Sequence, residues 1–403
     1  MIGLAAIVPL IAFPWTIDTL DINKQTVAIV LIVLAAVTWL GAMLVRREAQ
    51  FRATWLYVPL AAFVGSSLLS TFFSLAPYVS LVGQGGQEYT STFSIVAFAV
   101  FFILGTHVFS PRGVQRNMWA LFLVSSACVA LLSTLAWFGI SFDVIPTNII
   151  GTPNSLAIFL VTASLLGAGL WLTSGGDEDV LPSGFFGAVV RGAIIVTSLV
   201  ALVVLLAVDY VVLWTVALVG VLILFTFALA RAREFPLPGR FVIPMLFFVV
   251  SLLFMFLPSV IRSPLPTEVA PTYSTSWDIA SQNLEDSSTL LGSGPGTFVI
   301  GYTKFQPVTL NTTAFWDTRF DRGASHVLTM LSTFGVLGTV AFGLFVLFLG
   351  TLVIVRLVRE KDHAEWKLTF APFAAWAMLV VGMVLYAQNF TLAFLFWTLS
   401  AVL

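Results

Sequence analysis

Runs of about twenty apolar residues recur along almost the whole chain, and that is the length a helix needs to cross the hydrocarbon of a bilayer. They fall near 2–16, 25–45, 54–73, 91–109, 117–140, 155–173, 189–207, 210–230, 241–260, 327–355, 368–387 and 390–403. Only 9% of the 403 residues are charged and the mean hydropathy is +1.03, whereas a soluble domain carries about 25% charged residues. Such a chain cannot cover itself with a polar surface. In lipid every backbone N–H and C=O must find its partner inside the protein, which leaves helices for runs of this kind. The expected fold is therefore an all-α, polytopic transmembrane bundle of about twelve helices. The opening stretch "MIGLAAIVPLIAFPW" lacks a basic n-region and a small-residue cleavage site, so it reads as a first helix rather than a signal peptide. The last run, "TLAFLFWTLSAVL", reads either as a short final helix or as part of a sequence that continues past Leu403.

The remaining composition narrows the function classes. A net charge of -1 gives no basic surface for nucleic acid. The single cysteine, Cys128, lies inside an apolar run and supports neither a disulfide framework nor a metal cluster, so no metal or cofactor is expected. No apolar run carries the series of ionisable residues that marks an ion or proton path, and no matching pair of interrupted helices stands out in two halves. Both points weigh against an ion-coupled transporter.

Thirteen of the 18 lysines and arginines fall in alternate hairpins, in "RREAQFR" (46–52), "SPRGVQR" (110–116), the 174–191 loop, "RAREFPLPGR" (231–240) and "RLVREKDHAEWK" (356–367). The positive-inside rule places these hairpins, and with them the N-terminus, in the cytoplasm. The other five are Lys24, Arg262, Lys304, Arg319 and Arg322. They fall on the external side, four of them in one loop. The chain thus divides into helices 1–9 (1–260), an extracytoplasmic loop (261–326) and C-terminal helices (327–403).

A loop of that length is uncommon without a function or structure of its own. Within it "TSWDIASQNLED" reads as a short helix opened by a Ser/Thr cap. "LLGSGPGTF", with Gly292, Gly294 and Gly296, allows a tight turn or a close backbone approach. Its end, "FWDTRFDRGASH", gathers Asp317, Arg319, Asp321, Arg322 and His326 just before a charge-free apolar run. A guanidinium is a planar fork of donors that matches phosphate oxygens in pairs, so Arg319 and Arg322, with Arg262 and Lys304, are candidates to grip a pyrophosphate. His326 titrates near neutral pH and is a candidate to move a proton; if the segment is helical it shares a face with Arg322. Asp317 and Asp321 could orient these groups. The competing reading is plain surface ion pairing, Asp317 with Arg319 and Asp321 with Arg322.

These stretches together resemble the O-antigen ligase and polymerase superfamily of bacterial membrane proteins. In that family a "GxGPGxF"-like segment precedes a histidine and an "LxxxGxxG" helix start. The matching positions are Gly292, Gly294, Pro295, Gly296 and Phe298, then His326, Leu331, Gly335 and Gly338. "FSLAPYVSLVGQGGQEY" (73–89) looks like the family's first outer loop, and "GTPNSLAIFL" (151–160), with Asn154, looks like its "NPNxLAxxL" segment. Two features depart from the pattern. Where the family often has an arginine before the tryptophan of the loop helix, here Ser274, Thr275 and Ser276 precede Trp277, and Val327 follows His326 where Asn is frequent. The first departure keeps Arg262 and Lys304 among the phosphate candidates.

The resemblance implies a GT-C-like, multi-pass glycosyltransferase of the bacterial plasma membrane. It would take a glycan from a polyprenyl-pyrophosphate donor in the outer leaflet and pass it to a hydroxyl of a lipid core, a glycan or a protein. The reaction is expected to be metal-independent and inverting, with His326 assisting the acceptor or the leaving group and Arg319 and Arg322 holding the diphosphate. The alternative class is a transporter or flippase for lipid-linked sugars or another amphiphile.

Overall fold

The computed structural model describes residues 1–13, 20–47, 54–138, 140, 148–175, 180–235, 237–259, 268–308, 312 and 315–403. Among them the regular structure is entirely helical: α1 (Ile2–Ile7), α2 (Asp21–Arg46), α3 (Tyr57–Phe72), α4 (Pro77–Val82), α5 (Thr92–Val108), α6 (Arg112–Trp137), α7 (Pro153–Thr173), α8 (Gly184–Val208), α9 (Val211–Ala230), α10 (Val242–Phe254), α11 (Tyr273–Asp286), α12 (Phe298–Phe305), α13 (His326–Arg359), α14 (His363–Leu385) and α15 (Phe390–Val402). Seven of these (α2, α6, α7, α8, α9, α13 and α14) are long and apolar enough to cross a membrane. Four shorter apolar helices, α3, α5, α10 and α15, stand beside them.

Helix α7 is the axis of the bundle. Almost every residue of Pro153–Thr173 is buried, and α8, α9 and α14 pack around it. A helix that is apolar on all sides and buried on all sides belongs at a core. Helix α2 is the opposite case: Val33, Leu34, Val37 and Leu44 are exposed and apolar, a face suited to lipid. Helix α13 lies on α3, α11 and α14, and α15 lies on α5.

The two ends of the bundle differ in chemistry. At one end the cationic hairpins converge. Arg112 pairs with Asp362 and Glu365, Arg356 reaches Glu365 at 3.0 Å, and His363 Nδ1 lies 2.5 Å from Glu234. At the other end the helices begin with side-chain caps. Ser91, Thr152, Ser325 and Asn389 accept from the first-turn amides of α5, α7, α13 and α15, each cap being worth about 1 kcal/mol. The loops bearing these caps are held together. Lys24 is fully buried and donates to Ile149 O at 2.5 Å and Thr391 Oγ1 at 2.8 Å, which ties α2 to the turn before α7 and to α15.

One break shapes this capped end. Helix α13 is interrupted at Gly335, which takes φ +66°, a conformation open to glycine and strained for other residues. The backbone groups released by the break are taken up by the glycine-rich turn. Ser293 N donates to Ser332 O, Gly294 N to Thr333 O, Val336 N to Thr289 O and Leu337 N to Leu290 O. The approach is so close that a Cβ on Gly292 would lie 2.6 Å from Gly335 N. Helix α11 seals the junction through Asn283, whose amide donates to Ser293 Oγ and to Ser332. The glycines of "LLGSGPGTF" thus give the close backbone approach that the break in α13 requires.

Candidate functional site

Five polar segments converge at the capped end: 83–91, the turn before α7, the start of the loop at Glu268, the 320–326 stretch before α13, and Tyr386–Asn389 between α14 and α15. Loop 83–91 bends at Gly83 and Gly86, both at positive φ, and is anchored by Gln25, whose amide reaches Val82 O and Ser94 Oγ at 3.0 Å each. Gly86 lies flat on the Asp321 carboxylate, so that any Cβ there would overlap it.

Arg322 is the cation at the centre. Its Nε and Nη2 both donate to Asp321, at 2.9 Å each, and its Nη1 donates to Gln388 O at 2.8 Å. Its side chain is only 19% exposed. Burial works to lower its pKa, but the Asp321 charge and hydrogen bonds outweigh this and raise it above the usual arginine value. The guanidinium is therefore a permanent charge. Of its five N–H donors, these bonds use three, and Arg322 lines a cavity of roughly 760 Å³. That volume is in the range of small-molecule sites, about 300–1,000 Å³. Asn154, Asp209, Tyr210, Glu268 and Tyr386 share the lining.

His326 is the first residue of α13, and its amide donates to Tyr386 O at 3.1 Å. The ring is buried between Tyr89, 5.5 Å away, and Phe342, 6.1 Å away. Its Nδ1 has no hydrogen-bond partner, and neither do the Tyr89 hydroxyl and the two amide atoms of Gln87, all of them buried. Buried polar atoms without partners are rare and expensive. Gln87 and Tyr89 lie on loop 83–91, and the His326 ring packs against Tyr89. The crevice beside His326 has a volume of about 20 Å³, which is room for about one water or one hydroxyl. Burial pushes the Tyr89 phenol well above its usual value, so it remains a donor.

The residues singled out from sequence part company here. Arg322, His326, Asp321 and Asn154 reach the capped-end site. Arg319 and Asp317 are exposed. Arg319 shares an open surface hollow with Lys304, which pairs with Asp286 at 2.5 Å and lies over the Phe305 ring. Trp277 is 54% exposed and does not line the cavity. Gly294 packs against Ser74, and Gly296 lies near Val79 and Gln87. Arg262 lies outside the described residues. The helix starts at His326, with 321–325 irregular, so Arg322 and His326 do not share a helical face. Ser276, in the stretch where an arginine was a family expectation, is buried and accepts the Ala324 amide at 2.8 Å, fixing the strand of loop that carries Arg322.

Sequence reading missed Gln87, Tyr89, Glu268, Tyr386 and Gln388. The first two lie in the stretch "FSLAPYVSLVGQGGQEY", where the Gly-Gly pair and the buried-end tyrosine were the available signal. Tyr386 and Gln388 sit in "YAQN", a polar interruption in an otherwise apolar C-terminal run.

No protein-family model matches the chain, and no curated protein matches its sequence.

Proposed function

We propose that this protein is a multi-pass membrane glycosyltransferase of O-antigen ligase type. It transfers a glycan from a polyprenyl-pyrophosphate donor to an acceptor hydroxyl at the outer face of the bacterial plasma membrane. The single observation that carries the reading is a mostly enclosed, permanently charged arginine, Arg322, lining a sugar-sized cavity at the end away from the cationic hairpins. The positive-inside rule assigns the cationic end to the cytoplasm, which puts the cavity on the external side.

The chemistry follows from the groups present. The acceptor oxygen attacks the anomeric carbon as the bond to the diphosphate breaks, and negative charge grows on the departing phosphate oxygens. Arg322, fixed by Asp321 and Gln388, opposes that charge without reorganising, which is where electrostatic catalysis gains most. His326 sits in a separate small crevice, enclosed by Tyr89 and Phe342, and supports the site through its amide, which holds the Tyr386 carbonyl. Attack from the face opposite the diphosphate inverts the anomeric centre.

The test is transfer by the purified protein in proteoliposomes, using an undecaprenyl-pyrophosphate-linked oligosaccharide and a panel of lipid-core, glycan and peptide hydroxyl acceptors. Product formation in wild type and its loss in Arg322→Ala support the reading. Movement of the donor between leaflets without any transfer would assign the protein to the transporter class instead.

A further inference from the structure

Three carboxylates line the 760 Å³ cavity: Asp209, Glu268 and Asp321. Two of them are committed. Asp321 gives both oxygens to Arg322. Asp209 takes the Trp214 indole N–H at 3.1 Å on Oδ1 and the Ser259 amide at 2.8 Å on Oδ2. Glu268 differs. A single phenol, that of Tyr386, donates to it, at 2.6 and 2.7 Å from the two oxygens. A carboxylate has about four lone-pair sites, so most of its accepting capacity is left for the cavity it lines.

Glu268 is also held in place. The Tyr386 hydroxyl lies 2.9 Å from Thr152 Oγ1, and Thr152 caps α7, the most buried helix of the bundle. The same tyrosine accepts the His326 amide on its carbonyl. Burial and then Glu268 itself push the Tyr386 phenol above its usual range, so it stays the donor in this pair. The titratable and charged groups facing Glu268 around the cavity are Asp209, Tyr210, Tyr273, Asp321, Arg322 and Tyr386.

His326, by contrast, is enclosed by Tyr89 and Phe342 beside space for about one water. A lipid core, a glycan or a peptide cannot bring its hydroxyl there. It can bring it into the larger cavity.

We infer that Glu268 is the general base for the acceptor, oriented by Tyr386 and Thr152, while Arg322 serves the diphosphate. The inference rests on the transferase reading above. In the step, the acceptor O–H proton passes to a Glu268 oxygen and the acceptor oxygen forms its bond to the anomeric carbon. The anomeric C–O bond to phosphate breaks, and its electron pair leaves with the polyprenyl diphosphate. Glu268 is returned to its carboxylate by releasing the proton to water.

The experiment uses the full-length protein in vesicles with the undecaprenyl-pyrophosphate-linked oligosaccharide, offered either a hydroxyl acceptor or sodium azide. Azide needs no base, because it attacks carbon as an anion and yields the glycosyl azide. General-base catalysis contributes about 10²–10⁴-fold. Glu268→Gln is therefore expected to cut transfer to hydroxyl acceptors at least about 100-fold, with donor KM within about twofold and glycosyl azide formed at the wild-type rate. Tyr386→Phe, which loosens the base but leaves it present, is expected to lower kcat by about tenfold, again without loss of the azide product. Hydroxyl transfer by Glu268→Gln at close to the wild-type rate overturns the inference. So does loss of both products in Glu268→Gln, which makes Glu268 a structural tether and leaves the transferase reading intact. Neither product from wild type overturns the transferase reading itself.

Discussion

Arg319 and Arg322 stand three residues apart in one short stretch, yet they end in opposite surroundings. Arg319 is exposed, in an open hollow beside Lys304. Arg322 is half-buried, clamped by Asp321 and Gln388, and faces the large cavity. The difference comes from what lies on each side of the chain rather than from the arginines. Gly86 offers a flat backbone surface to Asp321, Ser276 pins the backbone at Ala324, and the polar Tyr386–Asn389 turn supplies a carbonyl. Among the described residues nothing comparable meets Arg319. Charge clustering in sequence is thus a guide to the neighbourhood of a site and a poor guide to which cation enters it.

Several substitutions sharpen or break this contrast, and the largest effect is expected at the inner arginine. Arg322→Ala should lower glycan transfer by at least about 100-fold, the loss typical when a single charge-stabilising donor is removed. Initial rates in proteoliposomes measure it. Arg322→Lys should recover only part, because an ammonium cannot keep the two-pronged grip on Asp321 and still offer donors to the cavity.

The next largest effect falls on the break that sets the site. Gly335→Ala puts a Cβ 2.5 Å from the Leu290 carbonyl carbon and adds left-handed strain, together about 3 kcal/mol or more. Detergent-solubilised protein should show a clearly lower thermal midpoint by fluorescence. An unchanged midpoint would mean that the glycine-rich turn does not hold α13 as described. Gly86→Ala, also at positive φ, should disturb the Asp321–Arg322 pair directly, with a roughly tenfold loss of transfer and a lowered thermal midpoint.

At the small end, Arg319→Ala and Lys304→Ala should alter transfer by less than about twofold. An exposed ion pair such as Lys304–Asp286 contributes only about 0–1 kcal/mol. EDTA should leave transfer unchanged, since the arginine does the charge stabilisation. Inhibition by EDTA that is relieved by a divalent cation would remove Arg322 from that role.

Much of the architecture was legible because bilayer helices write themselves plainly. The apolar runs after the first coincide with helices, and the hairpins bearing Arg112, Glu234 and Glu365 meet at one end. The loop helix at "TSWDIASQNLED" and the cap before it were readable from local rules, with Thr272 as the cap in the structure. The site was legible only in outline. His326 and Arg322 stood out because charge is scarce. Glu268, Tyr386 and Gln87 did not, because each acts through partners more than a hundred residues away or through a missing partner. Tyr386 meets Thr152 and Glu268 only once α14 has packed on α7, and no local pattern encodes that. Lys24 shows the same limit. It reads as an external cation, and it is a fully buried structural donor.

The most direct test of the central claim is donor binding by the two neighbouring arginines. A fluorescent polyprenyl-pyrophosphate analogue would be titrated into nanodiscs carrying wild type, Arg319→Ala or Arg322→Ala. The account predicts wild-type affinity for Arg319→Ala and at least about tenfold weaker binding for Arg322→Ala, in line with the loss of one charge-assisted pair. Weak binding in Arg319→Ala with normal binding in Arg322→Ala would contradict it and move the diphosphate to the outer hollow.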